Sequence, residues 1–362
     1  MKKLRSILCI VLALTMIIGG TAVSSYAQDA EENEAKEFKA LCYNVAGLPD
    51  FNKLLGKGGK DVKGNQKLIG EMINKSDYDI VAVQEDFGYH SSLVKPMTNY
   101  PYKTNHTGGI PGGDGLNLYS KFPLYNETRI KWNKAYGIID HGADDMTPKG
   151  ILYSVIEIAD GVYVDFYDIH ADANGDEGSR EARRDNLKQL ADLITARGTD
   201  RPVIVTGDVN ISSHFSDDCG INEYLFYGCG LKDAWIELHN NGDYEDFSNY
   251  YDPTKDWSDC WGRWDSVEHF MYRSGGGIDL EATDFEYIFN YDSEGKDLSD
   301  HASASVTFSY TVTDDFKENT EELTVVKADI FGLIKNKIYY IFRDIYLIIK
   351  NFDELKGFIG WK

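Results

Sequence analysis

Short apolar runs separated by turns rich in Gly, Asn and Asp dominate the chain from Phe38 onward. They predict strands at Phe38–Val45, Ile80–Val83, Leu116–Tyr119, Ile151–Ile158, Val162–Ile169, Val203–Thr206, Phe285–Phe289 and Ser303–Val312. Two segments switch to helical spacing: Leu68, Ile69, Met72 and Ile73 within 65–74, and Leu187, Leu190, Ala191 and Ile194 after Arg180–Arg184. Strands outnumber helices and do not alternate strictly with them, so the pattern predicts an α+β fold with sheet packed on sheet. No internal repeat is visible.

The two ends depart from this pattern. A basic start (Lys2, Lys3, Arg5), an apolar run from Ile7 to Ile18 and the small-x-small triplet Ser25-Tyr26-Ala27 predict a signal peptide over 1–27, cut before Gln28. The run is shorter than the ~20 residues a membrane span needs, so an extracellular, secreted protein is expected. Residues 28–37 then read as an acidic leader, 38–312 as the main folded domain and 313–362 as a C-terminal amphipathic helical extension. In that extension Phe331, Ile334, Ile338, Ile341, Ile345, Ile348, Phe352 and Leu355 recur in steps of three and four, an apolar stripe on one helix face. From Lys327 onward seven Lys or Arg stand against four acidic residues, with Tyr339, Tyr340, Tyr346 and Trp361 nearby. Peripheral membrane contact through 327–362 and packing on the main domain or in a coiled coil both fit this pattern. Trp257, Trp261 and Trp264 read either as residues that dip into lipid or as core or loop packing.

Net charge is −22. Non-specific nucleic-acid affinity comes mainly from Lys and Arg on phosphates, so stable nucleic-acid binding is disfavoured. After signal removal Cys42, Cys219, Cys229 and Cys260 remain; their spacing suggests no zinc site, and at most one bridge, Cys219–Cys229, is expected.

Five predicted strands or loops end on chemistry-bearing side chains: Asn44, Gln84-Glu85, His170, Asp208-Val209-Asn210, and Asp300-His301. Singly, each is what a turn former or structural histidine looks like. In this order the set N…QE…H…GDxN…SDH resembles the endonuclease/exonuclease/phosphatase (DNase I-like) superfamily, over roughly Phe38 to Tyr310. The segments YNVAGLP (Tyr43–Pro49), VQEDFGYH (Val83–His90), GDGLN (with Asp114), TPKG (Thr147–Gly150), VYVDFYDIHADA (Val162–Ala173) and SREARRDNLKQLAD (Ser179–Asp192) are similar to a microbial secreted, sphingomyelinase-like subgroup.

The resemblance implies a four-layered α/β/β/α sandwich and a Mg²⁺ cofactor, with Mn²⁺ or Ca²⁺ left open as replacements. Glu85 would hold the metal with Asn44 beside it, and Asp300 would be a metal-side or orienting carboxylate. Asp208 would position or activate the attacking water, and Asn210 would bond a phosphate oxygen. His170 and His301 would flank the phosphorus, one as general base and the other stabilising charge or protonating the leaving oxygen. Relatives place an Asp where this chain has Glu268, which is one methylene longer; Glu268 is expected behind His301, with Asp265 as a substitute. Asp172 is a candidate supporting residue. Lys149 is a candidate phosphate contact, although a surface lysine is its plainer reading. The implied activity is a metal-dependent phosphodiesterase of sphingomyelinase C type, acting on phospholipid at a membrane surface. A secreted DNase I-like nuclease and a non-catalytic binding module on the same fold are the alternatives.

Overall fold

A computed structural model describes residues 35–49, 59–109, 112–137, 144, 147–211, 219–245, 267–288, 290–327 and 329–350. The expected signal peptide, Cys260, Asp265, the three tryptophans of 257–264, and Phe352, Leu355 and Trp361 lie outside them.

In chain order the elements are β1 (Lys36–Asn44), α1 (Val62–Lys75), β2 (Ile80–Gln84), α2 (His90–Val94), β3 (Tyr102–Lys103), β4 (Asn117–Ser120), β5 (Leu124–Lys131), β6 (Gly150–Ala159) and β7 (Val162–His170). Then follow α3 (Glu177–Arg197), β8 (Val203–Asp208), a π-helical turn (Asn222–Gly228), β9 (Lys232–Asp233), α4 (Ala234–His239), β10 (Glu268–Arg273), β11 (Ile278–Ile288), β12 (Ser303–Val312) and α5 (Ile330–Lys350). They build two six-stranded sheets, ordered β11-β12-β1-β2-β4-β3 and β5-β6-β7-β8-β10-β9. Each sheet has a parallel pair at its centre, β1 with β2 and β7 with β8, inside an otherwise antiparallel frame.

The period-2 alternation of β1 explains the layering. Phe38, Ala40 and Cys42 face the large core shared with Ile80, Phe166, Ile204, Phe270 and Phe308. Leu41, Tyr43 and Val45 face the opposite way, onto Ile69 and Ile73 of α1 and onto Leu93, Met97 and Tyr100. Strand β2 is covered on both faces, which is why Ile-Val-Ala-Val reads as an unbroken apolar run. On the other sheet α3 contributes Leu187, Leu190 and Ile194 to the core. Its ends are set by short-range bonds: the Asp176 carboxylate accepts the Ser179 N–H (3.2 Å), and Gly198 at φ +85° closes the last turn on the Thr195 carbonyl.

Several expectations are corrected. Strand β5 was not foreseen, because LYNETRIK is half-buried, lies at a sheet edge and bulges between Tyr125 and Thr128. The Cys219–Cys229 bridge is absent; the Cys229 thiol instead contacts the Ala191 carbonyl at 3.7 Å. The chain also does not leave the sandwich after residue 312. Thr313 and Lys317 donate to the carbonyls of Gly277 and Gly276, Arg201 pairs with Glu321 at 2.6 Å, and Val325 bridges Tyr125. Only then does α5 begin, and it presents Ile334, Ile338, Ile341 and Ile345 exposed, so a stripe docked on the enzyme is not what the described residues show.

Candidate active site

Strand register assembles most of the site. In the parallel pair β1–β2, Asn44 lies opposite Gln84, which puts Glu85 beside Asn44. In the second parallel pair His170 lies opposite Asp208, and across the antiparallel β8–β10 pair Asp208 lies opposite Glu268. The loop entering β12 carries His301 into the same place. All these strands present the same end, so six side chains far apart in sequence converge there.

Asp208 is the hub. Its Oδ2 accepts from Asn44 Nδ2 at 3.0 Å and lies 3.2 Å from His170 Nε2 and 4.0 Å from His301 Nε2. Its Oδ1 accepts the Asn210 backbone N–H at 3.0 Å. Asn44 Nδ2 is also 3.2 Å from Glu85 Oε1 and 3.4 Å from His301 Nε2, while Asn44 Oδ1 takes the Ala46 N–H. The Asn44 amide therefore turns its nitrogen, not its oxygen, toward the carboxylates. His301 Nδ1 sits 2.5 Å from Glu268 Oε1, so the longer glutamate reaches the imidazole.

Two glycines permit this crowding. A Cβ on Gly207, at φ +142°, would overlap the Ile169 carbonyl of the neighbouring strand; one on Gly47 would overlap the Glu85 carbonyl. Glu85 and Asn210 themselves adopt left-handed backbone conformations (φ +59° and +55°), which non-glycine residues hold only where surroundings enforce them.

The electrostatics follow from burial and pairing. Burial alone would push the Asp208 carboxyl up, but His170, His301 and Lys149 outweigh it and hold Asp208 below the usual carboxylate range. Burial disfavours the His301 cation, yet Glu268, Asp208 and Asp300 overcome this and raise its pKa to about 10. Glu268 is itself raised by burial, against the pull of His301. The two shifts would place the shared proton on opposite partners. With Asp208 also facing the imidazole, the proton belongs on His301.

The remaining candidates fall around this hub. Asn210 Nδ2 donates to the Ala171 carbonyl at 3.1 Å. Asp300 is exposed beside His301. Lys149 is not a surface lysine: it is 7% exposed, its Nζ pairs with Asp144 and lies 3.5 Å from the Ala171 carbonyl. Burial works against its charge, but Asp144, Asp208 and Glu85 raise its pKa. Asp172 joins this group: it accepts the Tyr136 N–H at 2.8 Å, and burial together with Asp144 pushes its carboxyl up to about 8.

Sequence reading missed Asp144 and the support beneath Glu85. Asp86, fully buried, accepts at Oδ2 from Asn117 Nδ2 (3.0 Å) and Tyr119 OH (2.9 Å) and lies 2.6 Å from His90 Nδ1. Its carbonyl lies 3.0 Å from His106 Nε2, and the two imidazoles stack with centroids 3.8 Å apart. The spacing of Asp86 and His90 in VQEDFGYH was the available signal; His106, on a distant loop, offered none.

The donor set fits a hard divalent cation. Glu85 is a half-buried carboxylate open to water, Asp208 is a second carboxylate, and Mg²⁺ takes few carboxylates plus water. Asp208, Glu268 and His301 also bring ligand atoms within 4.8 Å of one another, as do Asp86, His90 and His106.

Residues 41–301 match the model of the Endonuclease/Exonuclease/phosphatase family. A sphingomyelinase of Mycobacterium bovis is 31% identical over 310 residues, 83% of this chain and 56% of that protein. An inositol phosphosphingolipids phospholipase C of Schizosaccharomyces pombe is 26% identical over 220 residues, 57% of this chain and 48% of that one. The chain thus spans about half the length of these curated relatives. Beta toxin of Staphylococcus aureus, in a mutant crystal structure with bound magnesium ions, superposes with a TM-score of 0.52 at 18% identity, covering 76% of this chain and 100% of that one. At that identity the likeness speaks for the fold, and with the family match it supports one assignment: the chain belongs to the Endonuclease/Exonuclease/phosphatase family.

Proposed function

We propose that this chain is an exported, Mg²⁺-dependent phosphodiesterase of sphingomyelinase C type, releasing a phosphorylated headgroup from a sphingolipid. The observation that carries the reading is the convergence of Asn44, His170, His301 and Asn210 on the single carboxylate Asp208, with Glu85 alongside. The relatives named above support the substrate class, since both names refer to sphingolipid phosphodiesters. The net charge of −22 weighs against the nuclease alternative.

The residues divide the work by charge. Glu85 and Asp208, with Asp300 at the edge, would hold Mg²⁺, which when bound supplies positive charge to the phosphoryl oxygens and orients the ester. Asp208 stays ionised and accepts the proton of the attacking water. His301, kept protonated by Glu268, gives its proton to the leaving ceramide-type oxygen as the P–O bond breaks. His170 faces the same Asp208 oxygen and neutralises charge as the new P–O bond forms. Asn210 has a second amide hydrogen for a phosphoryl oxygen, and Lys149 adds a fixed positive charge behind it. Asn44 orients Glu85 and Asp208 through its amide nitrogen.

Side-by-side assays of the purified protein on sphingomyelin vesicles and on plasmid DNA, with and without Mg²⁺, test the reading. Mg²⁺-dependent phosphocholine release without nicking is expected, with release falling on the order of 10³-fold in Glu85→Gln. DNA nicking without phosphocholine release would overturn it.

A further inference from the structure

The C-terminal helix has no part in the site just described, yet it exposes a series of large apolar side chains. Ile334, Ile338, Ile341, Phe342, Ile345 and Ile349 are all exposed, Phe342 by 69% and Ile349 by 68%. Projected at 100° per residue, these six fall within an arc of about 100°. That is the width of the stripe a helix ordinarily buries. Exposed Lys335, Tyr346, Tyr339 and Lys350 follow around the circumference from one edge of that arc.

We propose that α5 is a docking surface for a lipid bilayer, lying in the plane of the interface with this arc in the acyl boundary. No described helix is long and apolar enough to cross a bilayer, so the segment would lie on it rather than span it. Two observations select a membrane over a second protein. The charge is reversed locally: seven Lys or Arg against four acidic residues from Lys327 onward, in a chain of net charge −22. Such a segment complements an anionic lipid surface. Tyrosines beside the arc suit the headgroup level, where a ring is apolar and its hydroxyl stays wet.

The helix is also rooted, not merely appended. The chain before it is stitched to β5: the Asn126 N–H donates to the Thr324 carbonyl at 2.8 Å, and the Val326 N–H to the Leu124 carbonyl at 3.3 Å. Asn105 then grips the root, its Nδ2 donating to the Lys327 carbonyl (2.9 Å) and its Oδ1 accepting the Asp329 N–H (3.3 Å). Asp329 in turn caps the helix by accepting the Gly332 N–H at 2.9 Å. The next residue after Asn105 is His106, which contacts the backbone of Asp86 beside Glu85. A membrane-bound α5 would therefore hold the sandwich by a loop that leads directly to the candidate site.

Docking concerns where the protein sits, so it stands or falls separately from the hydrolytic reading. The full chain is mixed with phosphatidylcholine vesicles, with and without phosphatidylserine, and sedimented; an Ile338→Asp/Ile345→Asp double variant runs in parallel. Both residues are exposed, and a milder Ile338→Ser/Ile345→Ser pair guards against misfolding. We expect sedimentation with the phosphatidylserine vesicles, weakened by salt, and at least a tenfold loss of partitioning in the Asp variant. Hydrolysis of a water-soluble phosphodiester should be unchanged in both variants. The proposal is overturned if wild type does not sediment or if the variants bind vesicles as wild type does. It is equally overturned if the only change is a dimer becoming a monomer by light scattering, which would make a second copy the occupant.

Discussion

The strand ends of the sandwich and the C-terminal helix invert the usual distribution of polar and apolar groups in opposite ways. At the strand ends Asn44, His170, Asp208 and Glu268 are almost completely buried; on α5 isoleucines and a phenylalanine are exposed. The first inversion is made stable within the chain. Most buried polar groups there meet a neighbour of complementary charge or hydrogen-bonding sense, because leaving one unpaired costs about 1–3 kcal/mol. His170 Nδ1 and Asp168 Oδ2 are among the buried atoms with no hydrogen-bond partner among the described residues. The second inversion finds no such compensation on the described surface. Polar groups gathered inside point to chemistry, whereas apolar groups gathered outside point to a partner.

The sharpest test of the first half of that contrast is Glu268. Glu268→Gln keeps the shape but removes the negative charge that raises His301 to about 10. The His301 pKa should then fall toward its ordinary value near 6.5. An acid that must be protonated loses activity as pH rises through its pKa, so the basic limb of the pH–rate profile should move to lower pH. At pH 8 turnover should drop by up to about 30-fold, the loss of protonated His301 that a pKa near 6.5 implies. An unshifted limb would remove His301 from the role of proton donor.

Beneath the site, Asp86 is expected to matter less and in a different parameter. It holds the backbone around Glu85, whose φ of +59° needs enforcement. Asp86→Ala frees Asn117, Tyr119 and His90 and lets Glu85 relax. The Mg²⁺ concentration for half-maximal activity should rise about tenfold, the scale for residues that orient metal ligands. A fall in maximal rate with unchanged Mg²⁺ dependence would place Asp86 elsewhere in the mechanism.

What could be read in advance follows the same division. The strand ends are legible because each carries a polar residue directly after an apolar run; Ser303–Val312 reads from sequence with its observed bounds, and Glu268, expected behind His301, lies against its imidazole. Lys149 was misread because nothing in TPKG shows that Asp144 lies against it. The Asp86 network is not visible in the sequence because Asn117 and Tyr119 arrive through β2–β4 pairing and His106 through a loop. Strand β5 escaped because an edge strand needs no clean alternation. Local pattern reports what one element buries; it is silent about partners brought in from elsewhere.

The smallest expected effect probes the other half of the contrast. Phe342→Ser removes a large apolar side chain, and in the core such a loss costs about 3–5 kcal/mol. At 69% exposure Phe342 has little burial to lose, so thermal stability of the isolated protein should change by less than about 0.5 kcal/mol. Turnover of a soluble phosphodiester should be unaltered as well. A clear drop in melting temperature would mean that Phe342 is covered in solution by another part of the chain or by a second copy. The helix would then belong to the protein's own core, and the distinction between its two inverted surfaces would collapse to one.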